Sequence, residues 1–162
     1  MKSEHVYGSY HEAYMAQALA YAQEAYDNDE VPIGAIIVNA SGDIIGVGYN
    51  QVESKKSQLM HAELQALRQA TESVGNWRLE DTTLYVTLEP CTMCFAAATI
   101  SRVKTIIFGA YSPIFGFQLD KDRFVPLYNN DALFIQGGVK EQECSTLLKQ
   151  FFQKKRTKVE RT

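Results

Sequence analysis

Two spacings of apolar residues alternate along this chain, and each change of spacing marks an element. From Tyr10 to about Asp27, Tyr14, Ala18, Leu19, Ala22 and Ala25 or Tyr26 recur at helical intervals among abundant alanines, which predicts an amphipathic helix. Val31-Pro32 breaks it. Ile33 to Val38 and Ile44 to Tyr49 are apolar, β-branched runs on either side of Asn39-Ala40-Ser41-Gly42-Asp43, the pattern of a hairpin. Residues 50–60 follow no period and read as a loop, after which His61 opens a helix containing Leu64, Leu67, Arg68 and Ala70. Thr82 to Leu88 reads as a buried strand, Glu89-Pro90 interrupts it, and Cys91 to about Ile100 reads as a short alanine-rich helix.

The rest of the chain is less regular. Thr105 to Ala110 is another apolar strand, and Tyr111 to roughly Asp131, with proline, glycine and several aromatics, reads as a long loop with room for a short helix. Leu133 to Gln136 reads as an edge strand and Gly137-Gly138 as a turn. Glu141 to about Lys155 then places Cys144, Leu147, Leu148, Phe151 and Phe152 on one helical face. Strands alternating with helices predict an α/β domain of three layers, α/β/α, around a mixed sheet of about five strands, with an antiparallel hairpin and parallel crossovers after it.

Composition narrows the class without naming a chemistry. The 162 residues are 46% hydrophobic and 22% charged, which fits one globular domain, 1–162, able to bury a core without disulfides. The first residues are polar and lack the apolar core of a signal peptide, and no window resembles a membrane span, so a cytoplasmic protein with no membrane partner is expected. Three cysteines, two of them as Cys91-x-x-Cys94, suit a reducing compartment, and Cys144 reads as a packing residue. Net charge is −3, yet Lys149, Lys154, Lys155, Arg156, Lys158 and Arg161 crowd the C-terminal helix and tail, 141–162. Such a cluster is either a solvated helix end matched to its dipole or a phosphate-binding patch.

The chemistry lies in two short motifs, His61-Ala62-Glu63 and Pro90-Cys91-Thr92-Met93-Cys94. Cys91 and Cys94, three apart at a helix start, can reach one metal, and the N-terminal amides and dipole there favour thiolates. With His61 they make three protein ligands, the number that leaves a fourth zinc position open to water. His61 and Glu63 diverge by about 200° on a helix, so they converge only on a metal lying off the helix end. Two helix N-termini facing one zinc ion are therefore expected, with Glu63 as the general acid and base beside a metal-activated water. Taken singly, a Cys-x-x-Cys is equally a redox dithiol or half of a structural zinc site. His5 and His11 are expected to be ordinary helix or surface residues.

These motifs resemble the signature of zinc nucleobase deaminases. Beyond the signature, the chain resembles the bacterial tRNA adenosine deaminases of the zinc cytidine/deoxycytidylate deaminase superfamily. The likeness runs through Asp29-Glu30-Val31-Pro32-Ile33-Gly34-Ala35, Gly48-Tyr49-Asn50, Ala66-Leu67-Arg68, Leu84 to Cys94, Phe108-Gly109-Ala110 and Phe151-Phe152. The resemblance implies a cytidine-deaminase-like fold, zinc on His61, Cys91 and Cys94, Glu63 as proton shuttle, and Asn50 in the base pocket. Without it, Asn50 reads as a turn residue at a strand end. It also implies a homodimer, conversion of the wobble adenosine of a tRNA anticodon loop to inosine, and contact between Lys154, Lys155, Arg156 or Lys158 and the RNA.

Three loops depart from the family pattern. Ser57-Gln58-Leu59-Met60 stands where Asp-Pro-Thr-Ala is usual, Tyr111-Ser112 lacks an expected acidic residue, and Pro113 to Gln118 replaces a small-residue loop. Phe115 and Phe117, read as exposed, are candidates for stacking on splayed bases or for packing in a loop or dimer interface. The divergent rim keeps a second activity open, deamination of free guanine, cytosine or cytidine. A third reading, a catalytically silent zinc scaffold, has no use for Glu63.

Overall fold

The apolar runs pair into one five-stranded sheet in the order β2-β1-β3-β4-β5, as seen in the computed structural model, which describes residues 3–119 and 133–159. The strands are β1 (Gly34–Val38), β2 (Ile44–Tyr49), β3 (Thr83–Leu88), β4 (Thr105–Ala110) and β5 (Phe134–Gln136). β1 pairs antiparallel with both β2 and β3, whereas β3–β4 and β4–β5 are parallel. The sheet is therefore mixed, as the hairpin and crossovers predict. All five β1 residues are buried because helices cover both faces.

Alternation along the strands divides the core in two. Ala35, Ile37, Leu84, Val86, Ile106 and Phe108 face α3 (Ala62–Val74) and α4 (Thr92–Ile100). Ile36, Val38, Tyr85 and Ile107 face the opposite layer, where Met15 and Ala18 of α1 (Ser3–Asp27) and Cys144 of α5 (Glu141–Val159) pack. Cys144 is a packing residue, as read from the sequence. The buried stripe of α1 is Met15, Ala18, Ala22 and Ala25; Tyr14 and Leu19 pack half-buried against the same core, and the Tyr14 hydroxyl donates to Gly42 O at 2.7 Å.

Small residues set the height of the helices above the sheet. A Cβ on Gly46 would collide with Ala66 O and Ala70, and one on Gly48 with Ala62 O, so α3 lies on β2 at backbone distance. Gly34 does the same for α1 against Ala18 O and Ala22 N. The first turn of α3, which carries the His-Ala-Glu motif, is thereby fixed to the sheet.

The structure moves several predicted boundaries. α1 begins at Ser3, about two turns before Tyr10. Residues 50–60, read as loop, contain α2 (Val52–Lys55) and a 3-10 turn at Gln58–Met60. The short helix in the long loop is a 3-10 turn at Phe117–Leu119; the remainder of that loop, 120–132, lies outside the described residues. So do Arg161 and the side chains of His5 and Lys158.

Candidate active site

His61 and Cys91 sit just outside their helices, as the N-cap residues of α3 and α4, with extended backbones and no side-chain capping bond. Their side chains are thus left for other partners. Cys94 stands at the third position of α4, and residues at N-cap and N3 converge over the first turn, the geometry that a capping box uses. Cys91 Sγ and Cys94 Sγ lie 3.6 and 3.4 Å from His61 Nδ1. Zinc bonds of usual length at tetrahedral angles separate sulfur from nitrogen by about 3.6 Å, so the donor set fits that ion. Among the described residues this metal-ligating group has three members.

His61 presents Nδ1 to the thiols, and its Nε2 faces Gln58 Oε1 at 3.3 Å. An Nε2–H donated to that amide oxygen leaves Nδ1 free to ligate. Gln58 is one of the residues that depart from the resembled pattern, and its contact with the imidazole has no signal in a single sequence.

Charge is arranged around this cluster by burial and proton sharing. The Cys94 thiol donates toward Cys91, and with His61 this holds the Cys91 thiol down at about 4 against the opposing effect of burial. Cys94 is pushed up, first by that shared proton and then by burial. The Cys91 thiolate also raises His61 through a hydrogen bond, while burial lowers it. Zinc takes cysteines as thiolates, so binding it would displace protons from the pair. Glu63, only 4% exposed, is pushed up to about 7, chiefly by burial. His61 and Glu63, which would diverge along a regular helix, both reach the site because His61 caps α3 with an extended backbone.

A cavity of about 520 Å³ opens beside the cluster, within the ordinary range for a small-molecule site. Val31, Ile33 and Leu88 give apolar walls, and His61, Glu63 and Asn50 supply polar groups. Asn50 closes the strand end, its N–H donating to Ile33 O at 3.0 Å, and the residue also lines the cavity. The mouth is apolar, with Tyr111, Ile114, Phe115 and Phe152. Phe151 is buried, but Phe152 is 47% exposed at this mouth and does not share the buried face of α5. Phe115 is exposed as expected, whereas Phe117 is buried and stacks on Phe95 at 4.1 Å.

Three arrangements escaped the sequence reading or alter it. Glu30 is buried and accepts the backbone N–H groups of Glu53 and Ser54, holding the first turn of α2 near the cavity. Glu89 does likewise for Ser112 and Gln118. At the basic end of α5, Lys155 pairs with Asp29 at 2.7 Å and Lys154 lies over the Tyr26 ring, while Arg156 is exposed.

The sequence pattern of the cytidine and deoxycytidylate deaminase zinc-binding region matches residues 9–110. The chain belongs to that deaminase family. Its sheet and flanking helices are the three-layer fold of these zinc deaminases, with the His61, Cys91 and Cys94 cluster placed to bind a metal. Among curated deaminases, the tRNA-specific adenosine deaminase of Bacillus subtilis (strain 168) is 40% identical over 153 residues, covering 91% of each chain. A solved structure from a study of A-to-I editing by tRNA:A34 deaminases at the wobble position superposes with TM-score 0.76 and 35% identity, covering 83% of this chain and 97% of that one. Guanine deaminase from Bacillus subtilis superposes with TM-score 0.61 and 31% identity, over 74% and 84%.

Proposed function

We propose that this protein hydrolyses adenosine to inosine at the wobble position of a tRNA anticodon loop. The observation that carries the chemistry is the close approach of Cys91 and Cys94 to His61, with buried Glu63 lining the same cavity. The similarity to tRNA-specific adenosine deaminases over nearly the whole chain supports the substrate.

In this reading His61, Cys91 and Cys94 hold zinc, which when bound supplies Lewis-acid activation of a water. Glu63 would carry two protons in turn: the first leaves the attacking water and passes to N1 of the adenine, and the second leaves the newly added hydroxyl and passes to the departing amine. A carboxyl pushed up to about 7 is suited to both directions near neutral pH. Asn50, with an amide that donates and accepts, reads the edge of the purine. Val31, Ile33 and Leu88 exclude water from the ring faces. Gln58 holds the imidazole in the ligating tautomer.

Residues 1–162 act as one domain, and two copies form a homodimer. Met93 and Ile100 of α4 are 37% and 44% exposed, an apolar face that a second copy would cover. The reduced Cys91 and Cys94 suit the cytoplasm, and among the described residues no helix is long and apolar enough to cross a membrane. Exposed cations such as Arg156 are candidates for contact with the anticodon stem-loop.

The test offers purified zinc protein an adenosine-containing anticodon stem-loop and, separately, guanine, cytosine and cytidine. Inosine in the stem-loop is expected. Turnover of a free base with none in the stem-loop would replace this reading by the free-base one, which the likeness to guanine deaminase favours.

A further inference from the structure

Glu89 is 5% exposed, and among the described residues no cation pairs with it. Its two carboxylate oxygens instead reach the two ends of one loop. Oε2 accepts the Ser112 N–H at 3.0 Å and Oε1 accepts the Gln118 N–H at 3.3 Å. Between these points the backbone closes round the carboxyl: Gly116 N–H donates to Ser112 O at 3.2 Å, and a Cβ on Gly116 would collide with the carboxyl itself. Phe117 N–H donates to Pro90 O at 2.9 Å, which ties the loop to the join that carries Cys91.

At the tip of this loop the Phe115 N–H donates to Ser112 Oγ at 3.3 Å, but the side chains there are not placed by burial. Ile114 and Phe115 are 72% and 74% exposed, yet both line the mouth of the cavity. Their position is inherited from the backbone, which Glu89 holds at Ser112 and Gln118 and which Phe117 anchors between them through Pro90 O and its stack on Phe95. A buried carboxylate carries a desolvation cost that an apolar residue would avoid, and two charge-assisted bonds to backbone N–H groups offset it.

We propose that Glu89 is a positioning residue that sets substrate affinity by fixing Ser112 to Gln118 over the cavity. It takes no part in proton transfer, which belongs to Glu63. That the rim grips substrate rests on the deaminase reading above; that Glu89 holds the loop does not.

Glu89→Gln tests this, because an amide keeps one acceptor and turns a donor toward the other N–H. Gly116→Ala presses on the same carboxyl without altering it and serves as the second variant. In zinc-loaded Glu89→Gln, amide hydrogen exchange at Ser112 or Gln118 should quicken about tenfold, the effect of losing one charge-assisted bond. KM should rise about tenfold with kcat within about threefold, as expected when binding is lost equally from ground and transition states. Unchanged exchange and KM in both variants would overturn the proposal. So would a fall in kcat at constant KM, which would put Glu89 in the chemistry, or a lower Tm with KM untouched, which would make it structural only. If the wild-type protein turned over neither the stem-loop nor a free base, the proposed function would fall, and amide exchange would still decide whether Glu89 holds the loop.

Discussion

Lys155 Nζ lies 2.7 Å from Asp29 Oδ2, tying the far end of α5 to the turn that follows α1. A cation engaged in this way is a poorer phosphate ligand than its exposed neighbour. Arg156→Ala is expected to flatten the salt dependence of stem-loop binding by about 0.7 in the log–log slope, the share of one phosphate on a single strand. Lys155→Ala should leave that slope unchanged and cost less than about 1 kcal/mol of stability, since the pair is largely in solvent. Binding titrations at several salt concentrations distinguish the two, and an equal loss in both variants would restore Lys155 to the RNA surface.

Removing the Glu63 carboxyl separates chemistry from metal binding. Glu63→Gln is expected to lower kcat by about 10² to 10⁴, the usual contribution of general acid–base catalysis. Zinc content, measured by atomic spectroscopy, should remain at the wild-type level. Wild-type turnover in that variant would contradict the mechanism.

The Gln58 amide offers a different handle on the same ion. If it orients His61, Gln58→Ala should weaken zinc binding by about tenfold, the lower end for a partner of a metal-ligating histidine. Competition against a chromophoric chelator measures this directly. An unchanged affinity would mean that the 3.3 Å contact holds nothing.

His11 gives a pH effect remote from the metal. Its Nδ1 is 2.9 Å from Tyr85 Oη, and burial lowers its pKa from the ordinary 6.5. Unfolded chains then bind the proton more tightly than folded ones, so the stability due to neutral His11 is present above 6.5 and is lost as pH falls through the lower folded value. In urea unfolding across that window, the stability of the wild-type protein relative to His11→Gln should decline as pH falls. Parallel curves would refute it.

Gly48 tests how closely the site depends on packing. A methyl group there would meet Ala62 O, so Gly48→Ala should displace the first turn of α3 and cost about 1 to 3 kcal/mol. Because His61 caps that turn, zinc affinity should fall as well. Loss of stability without loss of zinc would show that the helix end adjusts independently.

Much of this arrangement can be read from the chain, for reasons that also explain what cannot. Strands β1 to β4 follow from short apolar runs rich in β-branched residues, because helices cover both faces of the sheet, and the apolar stripes of α1 and α3 follow from periodicity, because burial on one face leaves a repeating mark. The cluster of His61, Cys91 and Cys94 is legible because a group able to hold a metal needs rare residue types at fixed intervals. Glu30 and Glu89 left no such mark: a carboxylate that accepts backbone N–H groups constrains only itself, since any residue can supply the amide. Phe152 misled for the opposite reason. It fits the apolar spacing of α5, yet the cavity mouth also accepts apolar residues, and spacing does not distinguish a core from a rim.

The placement of His61 and Cys91 ahead of their helices has a consequence for how the protein tolerates change. One ligand takes its position from the end of β3, the other from glycine contacts between α3 and β2, so both are referenced to a single hydrogen-bonded sheet. The lengths of α3 and α4 do not enter. Substitutions near Val74 or Ile100 can therefore fray a helix end and leave the ligand spacing intact, whereas the first turns have no slack. Divergence along this chain should be graded in the same way, permissive at the helix tails and strict at their heads.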